Sequence, residues 1–294
     1  MTTTTATIGT HTNPVLASIR ADLFRLRRWP AVWVIVGVWL GLNEVFGYVL
    51  NYVAYNSGSS NFSTEGQSNA ALLASIMPAG VPDTLVGGMP MFGGALMMVL
   101  GAIIAGSGFG WGTWKTIFTQ GPSRVASVTG SLGALATIVT GVVLATLALD
   151  LGSSLVVAGV TSQHVVWPAF GAVGQSFGAA LLIMGMWALA GFFLGVLARG
   201  PALSVGLGLV WLLVIENLLR SAGSLLSWLE TFTHFLPGTA VGSLAGSLLG
   251  SGGPDSAPGV IQAVSGSQAL WTTVAYVVLL PLVSVWLVRR RDVA

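Results

Sequence analysis

Two pairs of polar residues interrupt stretches of this sequence that are otherwise apolar, and they are the first candidates for chemistry. They are Asn43-Glu44 and Glu216-Asn217. A carboxylate inside an apolar segment is costly and needs a partner, so such residues often mark a path for a substrate or ion. The functional hypothesis is an aqueous path, or recognition of a cationic group on a transported molecule. Structural hydrogen bonds between helices, or helix ends that reach the outer interface, are the alternative.

A second candidate is the run Gly174-Gln175-Ser176-Phe177-Gly178, which matches the G-x-S-x-G motif of serine hydrolases. That motif functions on a strand-turn-helix elbow, whereas this run lies within an apolar helical stretch. His164 and His234 are the histidines that could assist the serine near the outer face. Small residues at a helix contact explain the motif better, because Gly174 and Gly178 also form G-x-x-x-G. The chain has no cysteine, and its three histidines lack metal-ligand spacing, so we expect neither a catalytic nor a metal site.

The sequence also excludes a P-loop for ATP. Lys115 is the only lysine, and a P-loop requires glycine directly before the lysine and again five residues earlier. Trp114 and Phe109 occupy those two positions. We therefore expect no enzymatic activity and no cofactor in this chain.

Composition predicts that these residues are carried by helices that span a membrane. The chain is 54% hydrophobic and only 7% charged, which is too apolar for the surface of a soluble protein. A spanning helix needs about 20 apolar residues. We predict an all-α, polytopic protein with a cytoplasmic arm at 1–30 and a single six-span domain at 31–294. The predicted spans are 31–53, 86–106, 126–149, 169–198, 202–219 and 269–288.

The basic residues predict the orientation of these spans. Ten of the eleven lie in four clusters separated by even numbers of spans. Short cytoplasmic loops carry an excess of Lys and Arg, so both termini are expected in the cytoplasm and the protein in the cell inner (plasma) membrane. The pI near 9.4 then reflects clusters that face anionic lipid rather than nucleic acid. The clusters are Arg20, Arg25, Arg27 and Arg28; Lys115 and Arg124; Arg199; and Arg289, Arg290 and Arg291.

Three segments outside the spans have their own patterns. In 15–29 the apolar residues recur at intervals of three and four, which predicts an amphipathic helix on the cytoplasmic surface, with a plain juxtamembrane anchor as the alternative. Residues 54–85 are polar and predict an exposed outer loop. Residues 220–268 are more apolar and carry glycine at every fourth position from Gly238 to Gly250. They predict one or two short helices in the outer leaflet, before the last span.

The segment at about 110–121 is too polar to stay in the bilayer and too patterned for a simple turn. Its apolar residues fall on one side of a two-turn helix, and Pro122 ends it. A short cytoplasmic helix with an aromatic face suits docking to another protein. An interfacial helix with tryptophans at headgroup level is the alternative.

In this segment the chain resembles the ABC-2 type permeases, the membrane subunits of ATP-binding-cassette exporters. The resemblance lies in Gly112-Thr113-Trp114-Lys115-Thr116 and Gly121-Pro122-Ser123-Arg124, in the six spans, in the amphipathic entry helix and in Leu236-Pro237. It implies that the segment is the coupling helix that docks onto the ATPase. The implied docking residues are Trp111, Gly112, Thr113, Trp114, Lys115, Ile117, Phe118 and Arg124.

The same resemblance implies a function and partners. The chain would be the permease of an ATP-driven exporter, in which a separate cytoplasmic ATPase binds ATP and Mg. A second permease, identical or related, would complete a dimer, with Glu44 and Glu216 near its axis. The apolar outer segment favours hydrophobic or amphipathic cargo. The alternatives are a proton-coupled secondary transporter that uses Glu44 and Glu216, and a membrane scaffold that transports nothing.

Overall fold

The structure is a computed structural model that describes residues 13–58, 67–110, 112, 116, 123–223, 225–250 and 257–290. Every regular element in these ranges is helical. The helices are α1 (Pro14–Arg27), α2 (Pro30–Ser57), α3 (Asn69–Ile76), α4 (Pro78–Gly87), α5 (Met89–Gly110), α6 (Arg124–Val160), α7 (Phe170–Ala198), α8 (Pro201–Gly223), α9 (Ser227–Thr233), α10 (Pro237–Leu249) and α11 (Gly266–Arg290).

Six of these helices are long and apolar enough to cross a membrane, namely α2, α5, α6, α7, α8 and α11. This confirms the predicted all-α class and gives six candidate spans, or up to seven if the bent pair Asn69–Ile76 and Pro78–Gly87 is counted as one span. Proline stands at the first turn of α1, α2, α8 and α10, where its missing N–H costs nothing. The turn between α7 and α8 is tight, because Arg199 takes a left-handed conformation and Pro201 starts the next helix.

The centre of the bundle is the contact between α5 and α7, the most extensive helix pair in the described part of the chain. Glycine makes this contact possible. A Cβ atom on Gly101 would overlap the carbonyl oxygen of Ala188, and one on Gly191 would overlap that of Met98. The two backbones therefore touch directly, as small residues allow in membrane helix pairs.

Helix α1 packs against the first turns of α6. The Ile19 side chain lies over Gly133, where an added Cβ would come within 2.7 Å of it, and Ser131 donates a hydrogen bond to Asp22. Asp22 also pairs with Arg25 at 3.1 Å. Leu26 is fully buried, while Phe24 remains exposed. The predicted helix at 15–29 therefore exists, and one of its faces is bound to the bundle.

The predicted outer loop at 54–85 was wrong over most of its described length. The first span continues to Ser57, and α3 and α4 follow with a bend of 77° between them. Ile76, Val81 and Leu85 are fully buried in these short helices. Their apolar runs are shorter than a span and are interrupted by Pro78, so a search for spans missed them.

The segment before the last span contains two short helices, α9 and α10, and their place in the outer leaflet stays a prediction. The predicted glycine stripe lies on α10. A Cβ on Gly238 would lie 2.7 Å from the Glu216 carboxylate oxygens, and Gly242 lies against the backbone of Gly259. Gly250 ends the helix in the left-handed conformation.

Three spans contain a wide π-helical turn, at Val45–Val49, Met89–Gly93 and Trp211–Ile215. Glu44 directly precedes the first turn and Glu216 directly follows the third. Such turns frequently occur at functional sites. These π-helical turns distinguish the positions of Glu44 and Glu216 from the rest of α2 and α8.

Candidate functional site

A cavity of about 130 Å³ lies between the Met89–Gly93 turn of α5, the Trp211–Ile215 turn of α8 and the start of α10. Glu216 lies about 22 Å along α8 from Pro201, at 1.5 Å per residue. On the orientation predicted from the sequence, that end of α8 faces the outside, so we call this the outer cavity. Its wall is mixed, a little more apolar than polar, and its charged and amide side chains all come from α8. Its lining residues are Pro90, Met91, Trp187, Leu212, Glu216, Asn217, Arg220, Gly238, Gly259 and Ile261.

The Glu216 side chain forms a hydrogen bond with the first turn of α10. It is buried, and Oε1 accepts a hydrogen bond of 2.7 Å from the backbone N–H of Thr239. The first N–H groups of a helix lack partners within the helix and carry partial positive charge, so a carboxylate there stabilises the helix end. Glu216 therefore links the span α8 to the short helix α10. Its second oxygen, Oε2, has no hydrogen-bond partner in the described part of the chain.

Asn217 and Arg220 form the other polar part of the cavity wall. The Arg220 Nη2 donates to Asn217 Oδ1 at 2.6 Å, and Asn217 Nδ2 donates to the carbonyl of Leu213 at 2.9 Å. Both the nitrogen and the oxygen of the Asn217 amide are therefore hydrogen-bonded. The amide positions the guanidinium beside the cavity, where Arg220 interacts electrostatically with the Glu216 carboxylate.

Trp187 forms the inner wall of the cavity. Its indole N–H donates to the carbonyl of Pro90 at 3.1 Å, inside the Met89–Gly93 turn. Gly94 leaves room for the ring, since a Cβ there would lie 2.6 Å from the indole nitrogen. A wide turn exposes carbonyls that an α-helix would use internally, and here a side chain from another span satisfies one of them.

The first predicted pair, Asn43-Glu44, lies at a different place, in the contact between α2 and α6. Asn43 Nδ2 donates to Asp150 Oδ1 at 2.7 Å, and Ser153 Oγ donates to Glu44 Oε2 at 2.6 Å. One turn closer to the start of α2, Trp39 Nε1 donates to Thr146 Oγ1 at 2.9 Å. We call these three hydrogen bonds the polar ladder.

Each carboxyl group of the polar ladder leaves one oxygen unpaired. Glu44 Oε1 and Asp150 Oδ2 are buried without a hydrogen-bond partner among the described residues. The Tyr48 hydroxyl, which can donate as well as accept, is also buried without a partner there. Asp150 is completely buried, and the one ion pair in the described ranges is Arg25–Asp22. Two carboxyl groups are thus held in an apolar contact by an amide and a hydroxyl, which is suitable chemistry for carrying a proton.

Glu216 has two possible roles, which are to accept the hydrogen bond at the start of α10 and to supply a negative charge for transport. A pair of variants separates them. Glu216→Leu leaves the buried Thr239 N–H without an acceptor, so we expect a loss of about 1–3 kcal/mol in stability. Glu216→Gln keeps an oxygen acceptor and should lose less than about 1 kcal/mol, which is the usual value of a charge at a helix N-terminus. Thermal unfolding of the purified protein measures both.

Transport by Glu216→Gln then tests recognition of a cation or proton. A functional carboxylate predicts lost transport at normal membrane levels, because the amide keeps size and hydrogen bonding but not charge. Full transport in both Glu44→Gln and Glu216→Gln would leave these acids with structural roles alone.

Most of the predicted coupling helix lies outside the described residues, including Trp111, Thr113, Trp114, Lys115, Ile117 and Phe118. Its described neighbours fix where the segment begins and ends. Gly112 has a positive φ of 68° just after α5, and Ser123 caps α6 by accepting from the N–H of Ala126 at 3.3 Å, directly before Arg124. A Cβ on Gly106 would lie 2.8 Å from the backbone nitrogen of Pro201. The end of α5 therefore packs against the Arg199–Pro201 turn.

The remaining motif, around Ser176, is part of α7 as predicted. Ser176 is buried, but Gly174 and Gly178 have nothing within 4 Å of an added Cβ. The close glycine contact of α7 lies further along, at Gly191. In the described ranges, no three His, Cys, Asp or Glu side chains are arranged to hold a metal ion.

The sequence matches no protein-family model and no curated protein. The resemblance described above therefore depends on the chain's own residues.

Sequence reasoning found Glu44 and Glu216 but missed their partners. Asp150 and Ser153 fall on one face of the third span together with Thr146, at intervals of four and three, and this spacing is visible in the sequence. The hydrogen bond from the Thr239 N–H to Glu216 could not be predicted, because the donor belongs to the backbone and does not depend on the residue type.

Proposed function

We propose that this chain is the membrane-spanning permease subunit of an ATP-driven exporter, and that a separate cytoplasmic ATP-binding-cassette subunit binds ATP and Mg. The observation that carries the proposal is the segment between α5 and α6, whose residues resemble the coupling helix of ABC-2 type permeases. Two structural features support it. The segment starts beside the Arg199–Pro201 turn, and α1 packs on the first turns of α6, where the segment ends.

In the proposed mechanism, the helix bundle transmits motion from the ATPase to the outer cavity. ATP binding closes the ATPase dimer, and the coupling helix transmits that motion to α5 and α6. Because α5 and α7 touch backbone to backbone at Gly101 and Gly191, they move as one body. The outer cavity lies at the far end of that body, between α5, α8 and α10, where cargo leaves. The cargo class is hydrophobic or amphipathic, as the apolar segment before the last span favours.

The membrane arrangement is part of the same proposal. The chain lies in the cell inner (plasma) membrane with both termini in the cytoplasm. Helix α1 lies along the cytoplasmic surface, and α9 and α10 lie in the outer leaflet. A second permease, identical or related, completes the dimer.

A second candidate function is proton-coupled transport, and the polar ladder is the observation that favours it. Its acids, Glu44 and Asp150, lack a basic partner among the described residues. A proton-coupled carrier works in liposomes from a pH gradient alone, whereas the exporter needs ATP and its partner. Transport driven by the gradient without ATP would decide for the second candidate.

Topology gives a direct prediction. Reporters fused after Arg124, Arg199 and Ala294 should all report cytoplasm, and reporters at Ser60 and Gly253 should report the outside, because the basic clusters remain in the cytoplasm. Paired reporters of opposite compartment specificity at each position provide the control. An outside signal at Ala294 would contradict the six-span orientation.

The function itself is tested by purifying the tagged chain from its native membrane in mild detergent. We expect an ATP-binding-cassette subunit to accompany it in fixed proportion through size-exclusion chromatography, identified by mass spectrometry. A chain that purifies by itself, from membranes in which it transports cargo, would contradict the proposal.

A further inference from the structure

The polar ladder between α2 and α6 contains two carboxyl groups that no basic residue pairs with in the described part of the chain. Asp150 is completely buried, and its carboxyl group interacts electrostatically with that of Glu44. Their hydrogen-bond donors are the Asn43 amide and the Ser153 hydroxyl, which carry no positive charge. A buried carboxylate without an opposite charge is costly. We call Glu44 and Asp150 the acid pair, and it needs a positive ligand.

Three oxygen atoms beside the acid pair accept no hydrogen bond from a described residue. Two are the carboxylate oxygens Glu44 Oε1 and Asp150 Oδ2, and the third is the Tyr48 hydroxyl. Tyr48 follows Glu44 by four residues, so the two side chains leave the same face of α2. The Tyr48 side chain is buried, with 3% of the residue exposed, and its hydroxyl interacts electrostatically with both acids. The hydroxyl is therefore a third oxygen at the same place.

Helix α4 packs against the wide turn of α2 that carries Tyr48. A Cβ on Gly47 would lie 2.9 Å from the Thr84 methyl group. The Thr84 hydroxyl is close to that of Tyr48, but it donates to the carbonyls of Ser75 and Gly80, at 3.1 and 3.2 Å. Its proton is used there, so Thr84 does not donate to Tyr48. The lone pairs of the Tyr48 oxygen remain available to a cation.

We propose that the acid pair and the Tyr48 hydroxyl bind a monovalent metal cation, Na⁺ or K⁺. Hard cations take oxygen ligands in proteins, and oxygens are what this place offers. The cost of removing an ion from water rises with the square of its charge, so a monovalent ion enters an apolar contact more easily than Ca²⁺ or Mg²⁺. The ion links α2 to α6 and makes that contact depend on the salt present.

The test uses the purified full-length chain in a neutral detergent, without any ATPase, at fixed pH. NaCl and KCl are the probes, and choline chloride replaces them so that the ionic strength stays constant. An ion that binds only the folded chain raises the unfolding midpoint as its concentration rises. We expect a saturable rise with Na⁺ or K⁺ and none with choline. The ion with the lower half-saturating concentration is the preferred occupant.

Three variants locate the ion. Asp150→Asn keeps the shape of the buried ligand but removes its charge, and it should raise the half-saturating concentration about tenfold or more, because losing one member of a buried charge contact is costly. Tyr48→Phe removes one neutral oxygen and should raise it less. Thr146→Val is the matched control, since it breaks the neighbouring hydrogen bond from Trp39 and leaves the three oxygens in place. It should lower the midpoint in choline without changing the half-saturating concentration.

A wild-type midpoint that rises no more in NaCl or KCl than in choline chloride would overturn the proposal. Equal half-saturating concentrations in the wild type, Asp150→Asn and Tyr48→Phe would also overturn it, because the ion would then bind elsewhere. A stronger response to Ca²⁺ or Mg²⁺ would contradict a monovalent ion. If neither Na⁺ nor K⁺ acts, and Asp150→Asn removes a response of the midpoint to pH, the acid pair holds a proton instead. Because no ATPase is present, failure here leaves the exporter proposal standing, and failure of the exporter proposal leaves this site standing.

Discussion

Gly191→Ala is expected to destabilise the protein by about 2 kcal/mol or more, within the range for overpacked cores. The added Cβ would overlap the carbonyl oxygen of Met98, and backbone atoms cannot rotate away as a flexible side chain can. Helices α5 and α7 must separate, which breaks the most extensive helix contact among the described residues. Thermal unfolding of the purified protein, followed by size-exclusion chromatography, measures the loss.

Gly185→Ala is the matched control, in the same helix and with the same chemical change. An added Cβ at Gly185 has nothing within 4 Å. Alanine is the better helix former by about 1 kcal/mol, so this variant should be neutral or slightly stabilised. Equal midpoints for Gly185→Ala and Gly191→Ala would contradict the backbone contact between α5 and α7.

The second large effect is expected in partner binding. Trp114→Ala combined with Phe118→Ala removes two large side chains from the predicted docking face. Buried aromatics dominate many protein contacts, and truncating one can cost about 2 kcal/mol, which is roughly thirtyfold in affinity. We expect normal insertion and abundance, much weaker co-purification with the ATPase subunit, and less ATP hydrolysis stimulated by transport.

Lys115→Ala is the control for that pair, because it changes the same segment but removes only an exposed charge. Such charges contribute little unless they meet an acid on the partner, so this variant should remain close to the wild type. If the double variant retains both the ATPase and transport, the segment is an interfacial helix. The resemblance to ABC-2 type permeases would then lose its most specific support.

The spans were predictable because each depends on a property of about 20 consecutive residues. The predicted 169–198 agrees with Phe170–Ala198 almost to the residue, since Arg199-Gly200-Pro201 marks its end. The third span was underestimated, at 126–149 against Arg124–Val160. Its last turns, from Leu151 to Val160, contain polar and small residues that weaken the apolar signal although the helix continues.

Contacts between distant residues were not predictable in the same way. Gly174 and Gly178 have the spacing of a helix contact, but no described atom lies within 4 Å of an added Cβ at either position. Gly191 and Gly195 have the same spacing, and both lie against the backbone of α5. Spacing along one helix says which residues share a face but not what faces them. Asp150 is an example, because its role appears only when α6 lies against Asn43.

The two acids of the candidate site could be found from residue types alone. Glu44 and Glu216 were identifiable because acids are rare within spans. The outer cavity was not, because its walls come from α5, α7, α8, α10 and the loop at 257–261.

The central claim is that this chain is driven by a separate ATPase, and ATP hydrolysis in the purified assembly tests it most directly. The chain is purified from its native membrane, reconstituted in liposomes and measured with and without the accompanying ATP-binding-cassette subunit. The account predicts hydrolysis only when that subunit is present, and a lower rate when the permease carries Trp114→Ala with Phe118→Ala. Cargo transport by the chain alone, without ATP, would contradict it.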